Sequence, residues 1–194
     1  VEAGARVDYR EQSVYRNIKG VVVQNDYQFT NPGLSAGLLF KQDSSISWTL
    51  NAGTANRPPS INEWFSNGLH HGTATFETGD STLGVEKAYN VIGGVRIQKR
   101  KLAIDASIYY LYIKDYIYLI PDESPVLTIS GAFPSFAYSH VDASFKGVDL
   151  SIDWDITRGI NLRSRNSLVF AWNHTGNRYL ELVPSPRFDQ LLSY

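Results

Sequence analysis

The chain has 194 residues, of which 43% are hydrophobic and 13% aromatic, with a formal net charge of −1. It contains no Cys, which excludes disulfides, Cys-ligated zinc or iron–sulfur centres and thiol nucleophiles within it. Its 18 basic and 19 acidic residues balance, so it has no basic field for nucleic acid, and nucleic acid is not expected as a partner.

The chain also lacks Met, and it begins at Val1 inside a strand-like pattern. No charged and apolar leader of the secretory type precedes that pattern. We therefore expect the chain to be a piece of a longer protein.

Apolar and polar side chains alternate with a period of two along most of the chain, which predicts strands with one apolar face. In residues 148–156 the even positions are all apolar, and the odd positions carry Asp149, Ser151, Asp153 and Asp155. No segment has a convincing helical stripe, and no run of 18 apolar residues predicts a transmembrane helix. A membrane-spanning strand, in contrast, needs only about 9–11 residues with one apolar face.

The alternation predicts about eight strands. Their ranges are 1–10, 33–41, 45–55, 86–98, 102–120, 136–156, 160–173 and 188–194. Tight connections at 42–44, 99–101 and 157–159 alternate with long ones at 11–32, 56–85, 121–135 and 174–187. An up-and-down antiparallel sheet places the two kinds at opposite ends, as in outer-membrane barrels with short periplasmic turns and long extracellular loops.

The turn at 157–159 predicts a register for the last long hairpin. If Ile156 pairs with Ile160, then Asp153 lies opposite Arg163 and Trp154 opposite Leu162. The same register places Ser164 and Asn166 on the otherwise apolar face. Those two positions require a β-bulge or a strand that lies partly outside the membrane.

Four segments, in this order, resemble the barrel of TonB-dependent outer-membrane receptors. Residues 54–65 (TANRPPSINEWF) resemble that family's Arg-x-Pro strand end followed by Asn-Glu-aromatic, and 79–87 (GDSTLGVEK) its Leu-x-x-Glu strand start. Residues 145–151 (FKGVDLS) resemble its Gly-hydrophobic-Glu-Leu strand, here with Asp149 in the place of Glu. Residues 179–187 (YLELVPSPR) resemble its Pro-x-Arg loop.

The resemblance implies an all-β, antiparallel up-and-down transmembrane β-barrel, of which this chain holds about eight strands out of about 22. Residues 1–194 are then a partial barrel domain from the C-terminal half, and the family's plug domain and TonB box lie outside this chain. The implied function is energised uptake of a scarce nutrient across the bacterial outer membrane, such as a ferric siderophore, haem or another metal complex. The implied partners are outer-membrane lipid, the plug, the TonB–ExbB–ExbD system and the small metal complex.

Candidate ligand-binding residues lie in or beside the predicted extracellular loops. They are His70, His71, Glu77, Arg57, His140 and His174. Imidazole and carboxylate groups are ligands for zinc, copper or haem iron, so His70 and His71 are candidate metal ligands. Because compact metal spacings are absent, no resident cofactor is required, and a metal complex or haem is expected only as the transported ligand.

Two other groups of residues are candidate sites. Arg57, which precedes two prolines, either binds an anionic ligand or anchors its loop by pairing with Glu63, and we favour the anchor. Asp149, Asp153, Arg163 and Arg165 are predicted to face the barrel lumen, where a plug would contact them.

The sequence predicts no enzyme. His140, Asp142 and Ser144 share one strand face, but four residues along a strand span about 13 Å, too far for a nucleophile–base hydrogen bond. No Gly-x-Ser-x-Gly, phosphate-binding loop or dinucleotide fingerprint is present. Two alternatives to the receptor stay open, a self-contained eight-stranded outer-membrane barrel that acts as an adhesin or anchor, and a soluble all-β binding module.

Overall fold

The computed structural model describes residues 1–194, with all side chains except that of Ile18. Most of the chain forms antiparallel strands, as the alternation predicts. The elements in chain order are β1 (Glu2–Ile18), β2 (Val21–Lys41), β3 (Ile46–Arg57), α1 (Ile61–Phe65), β4 (Asn67–His70), β5 (Thr75–Thr78), β6 (Glu86–Lys99), β7 (Leu102–Pro121), β8 (Val126–Thr128), β9 (Gly131–Phe133), β10 (Ser135–Thr157), β11 (Ile160–Asn173), β12 (Arg178–Tyr179) and β13 (Arg187–Ser193).

The long strands lie side by side in chain order, which confirms the predicted up-and-down antiparallel sheet. Their order is β1-β2-β3-β6-β7-β10-β11, and β13 pairs with β11. Within residues 1–194, β1 pairs with β2 alone and β13 with β11 alone. The eight strands therefore form an open sheet, and this geometry does not support the alternative of a self-contained eight-stranded barrel.

The tight turns after β2, β6 and β10 lie at one end of this sheet, and the long connections after β3, β7 and β11 lie at the other, together with the turn between β1 and β2. In the turn after β2, the Asp43 carboxylate accepts hydrogen bonds from the backbone N–H groups of Ser45 at 2.6 Å and Ile46 at 2.9 Å. In the turn after β10, Gly159 has a φ of 87°, a conformation that glycine adopts without steric cost. We call these two ends the short-turn end and the long-loop end.

The prediction of a long loop at 11–32 is wrong. Strands β1 and β2 stay paired from Glu2–Gly37 to Ile18–Val21, and the connection between them is the two-residue turn Lys19–Gly20. The segment Asn31-Pro32-Gly33 has turn composition but continues β2. Alternation is weak in this part of the hairpin because it extends past the apolar part of the sheet and carries polar side chains on both faces.

The register of the hairpin β10–β11 agrees with the prediction except at its turn. Asp153 lies opposite Arg163 and Trp154 opposite Leu162. The expected pairing of Ile156 with Ile160 is wrong, since Thr157 pairs with Ile160 after a register shift between Asp155 and Thr157. A bulge of this kind adds one residue to one strand and is common at the rim of a sheet.

Outside the 11–32 part of the β1–β2 hairpin, the sheet has one apolar and one charged face. Large apolar side chains of the apolar face are exposed, including Leu38, Leu50, Ile108 and Val148, and Ile108 is 64% exposed. The opposite, charged face carries ion pairs such as Arg6–Asp8 and Arg96–Asp105. An apolar surface this continuous requires an apolar environment, so the geometry does not support the soluble-module alternative.

Polar side chains interrupt the apolar face on β11, as predicted for Ser164 and Asn166. The Asn166 amide donates to Ser164 Oγ at 2.7 Å, and the Gln190 amide on β13 donates to Asn166 Oδ1 at 3.0 Å. Mutual hydrogen bonds offset the cost of placing these groups on an apolar surface. The interruption is therefore a hydrogen-bonded row across β11 and β13.

Two small hydrophobic cores lie toward the long-loop end. One contains Val141, Ala143, Ala171 and Leu180, and the other contains Trp64, Leu83 and Ile117. Each core packs a residue of a long connection against strands of the sheet. No helix among the described residues has the length and apolar character needed to cross a membrane.

Replacing Gly147 by alanine should destabilise the sheet, because a Cβ there would lie 2.1 Å from Cζ of Tyr109 on the paired strand. Overpacking of this kind costs about 1–3 kcal/mol. The urea midpoint of the intact protein in detergent measures the change. Gly93→Ala is the matched control, since its nearest contact would be Ile108 Cγ1 at 3.8 Å. Equal midpoints for the two variants would contradict this packing.

Candidate functional site

The connection 56–85 is held in a fixed conformation at the long-loop end, beginning with a capped helical turn. The Ser60 hydroxyl accepts a hydrogen bond from the Glu63 N–H at 3.3 Å, and the Glu63 carboxylate accepts from the Ser60 N–H at 2.7 Å. This capping box satisfies two N–H groups that the first turn of α1 would otherwise leave free.

Trp64 attaches that helical turn to the sheet. Its side chain is buried, its indole N–H donates to the Leu83 carbonyl at 2.9 Å, and its ring lies 4.5 Å from that of Tyr27 and 5.7 Å from that of Phe29. A Cβ at Gly79 would lie 2.6 Å from the backbone of Trp64. The connection therefore closes on itself around one buried indole.

Arg57 joins the end of β3 to the connection and to the next strands. Its Nη1 donates to both Glu63 carboxylate oxygens, at 3.0 and 2.9 Å, and its Nε donates to Glu86. The other Glu86 oxygen accepts a hydrogen bond from the Ile117 N–H at 2.6 Å. Arg57 therefore occupies the anchoring position that the sequence favoured, within a network that also ties β6 to β7.

The hairpin β4–β5 completes a cleft beside this anchor, because β5 pairs in parallel with β10 at residues 135–137. The cleft has a volume of about 350 Å³. Polar groups dominate its lining, which consists of Asn62, Ser66, Asn67, Gly68, Leu69, His70, Glu77 and Tyr138.

Glu77 is the central charged group of the cleft, and its side chain is 12% exposed. His70 Nδ1 lies 3.6 Å from Glu77 Oε1, and the Tyr138 hydroxyl donates to Glu77 Oε2 at 3.3 Å. His70 Nδ1 also lies 2.8 Å from the Thr73 hydroxyl. The structure thus brings together the predicted residues His70 and Glu77 and adds Tyr138, which lies 61 positions from Glu77.

The other predicted ligand residues lie apart from this cleft. His71 is exposed in the turn between β4 and β5, and His140 is exposed on β10. His174 follows β11, where its Nε2 lies 2.9 Å from Ser144 Oγ. Among the residues that the structure describes, no three His, Asp or Glu side chains form a group that could hold a metal ion.

The contact of His174 with Ser144 is one that the sequence did not predict. The two residues are 30 positions apart, so no local spacing signals it. Ser144 is 2% exposed and the ring of Tyr112 lies 5.9 Å from the imidazole. The serine hydroxyl is thus closed to a substrate, and the pair fixes the start of the connection 174–187, where the His174 N–H also donates to the Asp142 carbonyl at 2.8 Å.

Asp80 stabilises the end of the connection 56–85. Its Oδ1 accepts hydrogen bonds from the Thr82 hydroxyl at 2.7 Å and the Thr82 N–H at 2.8 Å. These hydrogen bonds hold the pKa of the Asp80 carboxyl below its usual value. The ionised Asp80 carboxylate therefore stabilises the folded protein at pH values above the pKa of Asp80 in the unfolded chain. This stabilisation is lost as the pH falls through the lower pKa of the folded state.

The four residues predicted to face a lumen all belong to the charged face. Asp153 accepts hydrogen bonds from Arg163 Nε at 3.1 Å and Arg165 Nη2 at 2.7 Å. Asp149 accepts one from the Ser167 hydroxyl at 2.6 Å. The cross-strand pairing predicted for Asp153 and Arg163 is thereby extended to Arg165, and the charges of this part of the face are internally compensated.

One protein-family model matches nearly the whole chain. The family model described as "TonB dependent receptor-like, beta-barrel" matches residues 1–189. No curated protein matches the chain.

Solved structures with a similar fold include a transporter and two receptors. The copper transporter OprC aligns with a TM-score of 0.76 and 19% identity over 99% of this chain and 30% of its own. The siderophore receptor PirA of Acinetobacter baumannii aligns with a TM-score of 0.58 and 14% identity. That alignment covers 98% of this chain and 31% of PirA. A third similar structure is a double mutant of the Serratia marcescens hemophore receptor HasR in complex with its hemophore HasA and haem. It aligns with a TM-score of 0.55 and 16% identity over 86% of this chain and 29% of its own. The chain thus spans about a third of the length of these structures.

Replacing Arg57 by glutamine should loosen the connection 56–85, since the Glu86 side chain, 9% exposed, would lose its cationic partner. Hydrogen bonds to charged groups are worth about 1.5–3 kcal/mol. We expect a loss of that size in unfolding free energy and faster proteolysis within 56–85. Arg96→Gln is the control, because the Arg96–Asp105 pair is 67% and 51% exposed and should cost less than about 1 kcal/mol. Equal losses in the two variants would contradict the anchoring role.

Proposed function

Because the chain belongs to the TonB-dependent receptor β-barrel family, we propose that it forms part of the wall and of the extracellular mouth of an outer-membrane receptor that imports a metal complex. The short-turn end faces the periplasm and the long-loop end the exterior. The whole receptor's plug domain and the TonB–ExbB–ExbD system supply gating and energy. The chain itself has a binding and not a catalytic role.

The cleft at the long-loop end is the observation that carries the proposal. Glu77, His70 and Tyr138 converge there from a hairpin and a wall strand, on a connection that Trp64 and the Arg57 network hold in place. Pre-positioned polar groups recognise a ligand at low entropic cost. A cleft on the extracellular side is where a receptor first meets a scarce ligand.

A metal complex is the ligand class that this cleft and the related structures favour together. The neighbouring structures are a copper transporter, a siderophore receptor and a hemophore receptor with haem. In the cleft, His70 and Glu77 are one imidazole and one carboxylate, too few for a closed metal cage. They suit hydrogen bonding to the rim of a complex or a single axial contact to its metal.

His70→Ala should weaken ligand binding at least about tenfold, since a lost hydrogen bond to a charged group costs about 1.5–3 kcal/mol. The measurement is calorimetric titration of the intact receptor with haem, a ferric hydroxamate siderophore and cupric ion in turn. His71→Ala, at the neighbouring exposed position, is the matched control and should change the Kd by less than about twofold. Equal effects of the two variants, or none from His70→Ala, would contradict the assignment of the cleft.

Uptake should stop when the proton gradient is removed. Cells that carry the intact receptor are given the complex that binds in the titration, and accumulation is followed with and without a protonophore. Binding at the surface should persist while accumulation falls to the level of cells that lack the receptor. Accumulation that continues without the gradient would overturn the proposal of energised import.

A further inference from the structure

Three lysines lie on the apolar face of the sheet near its long-loop end. Lys87 on β6 pairs directly with Lys114 on β7, and Lys146 on β10 pairs with Tyr110. By the period of two, Lys87 shares its face with Val91, Lys114 with Tyr110 and Lys146 with Val148. All three lysines are exposed.

These lysines have no acidic partner. The salt bridges found among the described residues involve Arg and His but none of the three lysines. The carboxylate of Asp142, on the strand opposite Lys114, is engaged by the Asp115 N–H at 3.1 Å and the Tyr112 hydroxyl at 3.0 Å. Like charges directly opposite each other destabilise a sheet, so an anion from outside the chain would stabilise the pair Lys87–Lys114.

Their height places them at a membrane surface. From Thr157 to Lys146, strand β10 climbs roughly 28 Å along the barrel axis, at ~3.4 Å per residue and a tilt of ~40°. The apolar band of a spanning barrel is about 25 Å tall. Between those two residues the apolar face of β10 holds only Val148, Leu150, Ile152, Trp154 and Ile156. The Lys146 ammonium therefore emerges just above the hydrocarbon, and the paired Lys87 and Lys114 lie higher, since Lys114 is four residues beyond Tyr110, the partner of Lys146.

Aromatic rings surround the lysines in the way expected of a membrane interface. Lys146 Nζ lies 5.7 Å from the centre of the Tyr110 ring, and the rings of Tyr89 and Tyr112 are 6.5 Å apart. Such rings favour the headgroup level, where long lysine side chains extend their charge toward water. The three strands also have paired neighbours on both sides, from β3 to β11, so strands outside this chain would not cover the lysines.

We propose that Lys87, Lys114 and Lys146 form a binding surface for a phosphorylated lipid of the outer leaflet. The inference rests on the membrane placement in the proposed function, and it does not depend on which complex is transported. A phosphate group carries the negative charge that the paired lysines lack, and lysine binds phosphate as a point charge. The acyl chains of the same lipid would cover the exposed apolar side chains below, such as Val91 and Val148.

The test measures retention of diphosphoryl lipid A by the intact, detergent-purified receptor, with native mass spectrometry as the readout. The triple variant Lys87→Gln/Lys114→Gln/Lys146→Gln should retain this lipid at least about tenfold less, since each lysine near an anionic surface contributes about fivefold. The triple substitution to Arg keeps the charge and should restore retention. Lys99→Gln is the matched control, because Lys99 lies on the same face at the short-turn end, and it should bind as the unmodified receptor does.

Several results would overturn this inference. They are equal retention by the triple Gln variant, an equal loss in Lys99→Gln, equal retention of dephosphorylated lipid A, or displacement of the lipid by millimolar inorganic phosphate. Because all three positions are exposed, heat-modifiable gel mobility should show that the variants still fold. Lipid retention is measured without any metal complex, so failure of uptake with lipid retention intact would refute the proposed transport and leave the lipid surface standing.

Discussion

A β-sheet that faces hydrocarbon must pair its own backbone N–H and C=O groups, because the membrane interior contains no water to form hydrogen bonds with them. In this chain each inner strand is hydrogen-bonded on both sides, from β2 to β11. Apolar and charged side chains then alternate along each strand, with apolar groups on one face and ion pairs such as Asp153–Arg163 on the other. The rest of the structure depends on this pairing, since it fixes the register, the two faces and the two ends.

The same wall supports the candidate binding cleft. Regular pairing carries β10 beyond the apolar band, where Tyr138 reaches Glu77. Between β7 and β10 the ladder shifts register, and the Asp142 carboxylate accepts the Asp115 N–H at that shift. Arg57 and Glu86 then link β3, β6 and β7 to the connection 56–85. The cleft is thus attached to the long strands of the sheet by charged hydrogen bonds and one buried indole.

Much of the fold follows from the sequence, because alternation is a property of single strands. Residues 102–112 and 148–156 show it clearly, and the turn at 157–159 allowed the pairing of Asp153 with Arg163 on the following strand to be predicted. The prediction failed at 11–32, where polar side chains lie on both faces and Asn31-Pro32-Gly33 has turn composition. Glu77 and His70 could be proposed as neighbours because one loop holds both. Tyr138 with Glu77, and Ser144 with His174, meet only through the sheet, and no local pattern signals such contacts.

The central claim is that the two faces of this sheet meet different solvents, and single-cysteine scanning of β7 tests it most directly. The chain has no cysteine, so each substitution from Asp105→Cys through Tyr110→Cys adds the one thiol within these 194 residues. In the intact receptor, any cysteine outside them is first replaced by serine, so that each variant carries one nitroxide label. Collisions with lipid-soluble oxygen and with a water-soluble nickel chelate are then compared. We predict oxygen access at 106, 108 and 110, with the odd positions shielded from oxygen and facing the lumen. Equal oxygen access at odd and even positions would contradict the account.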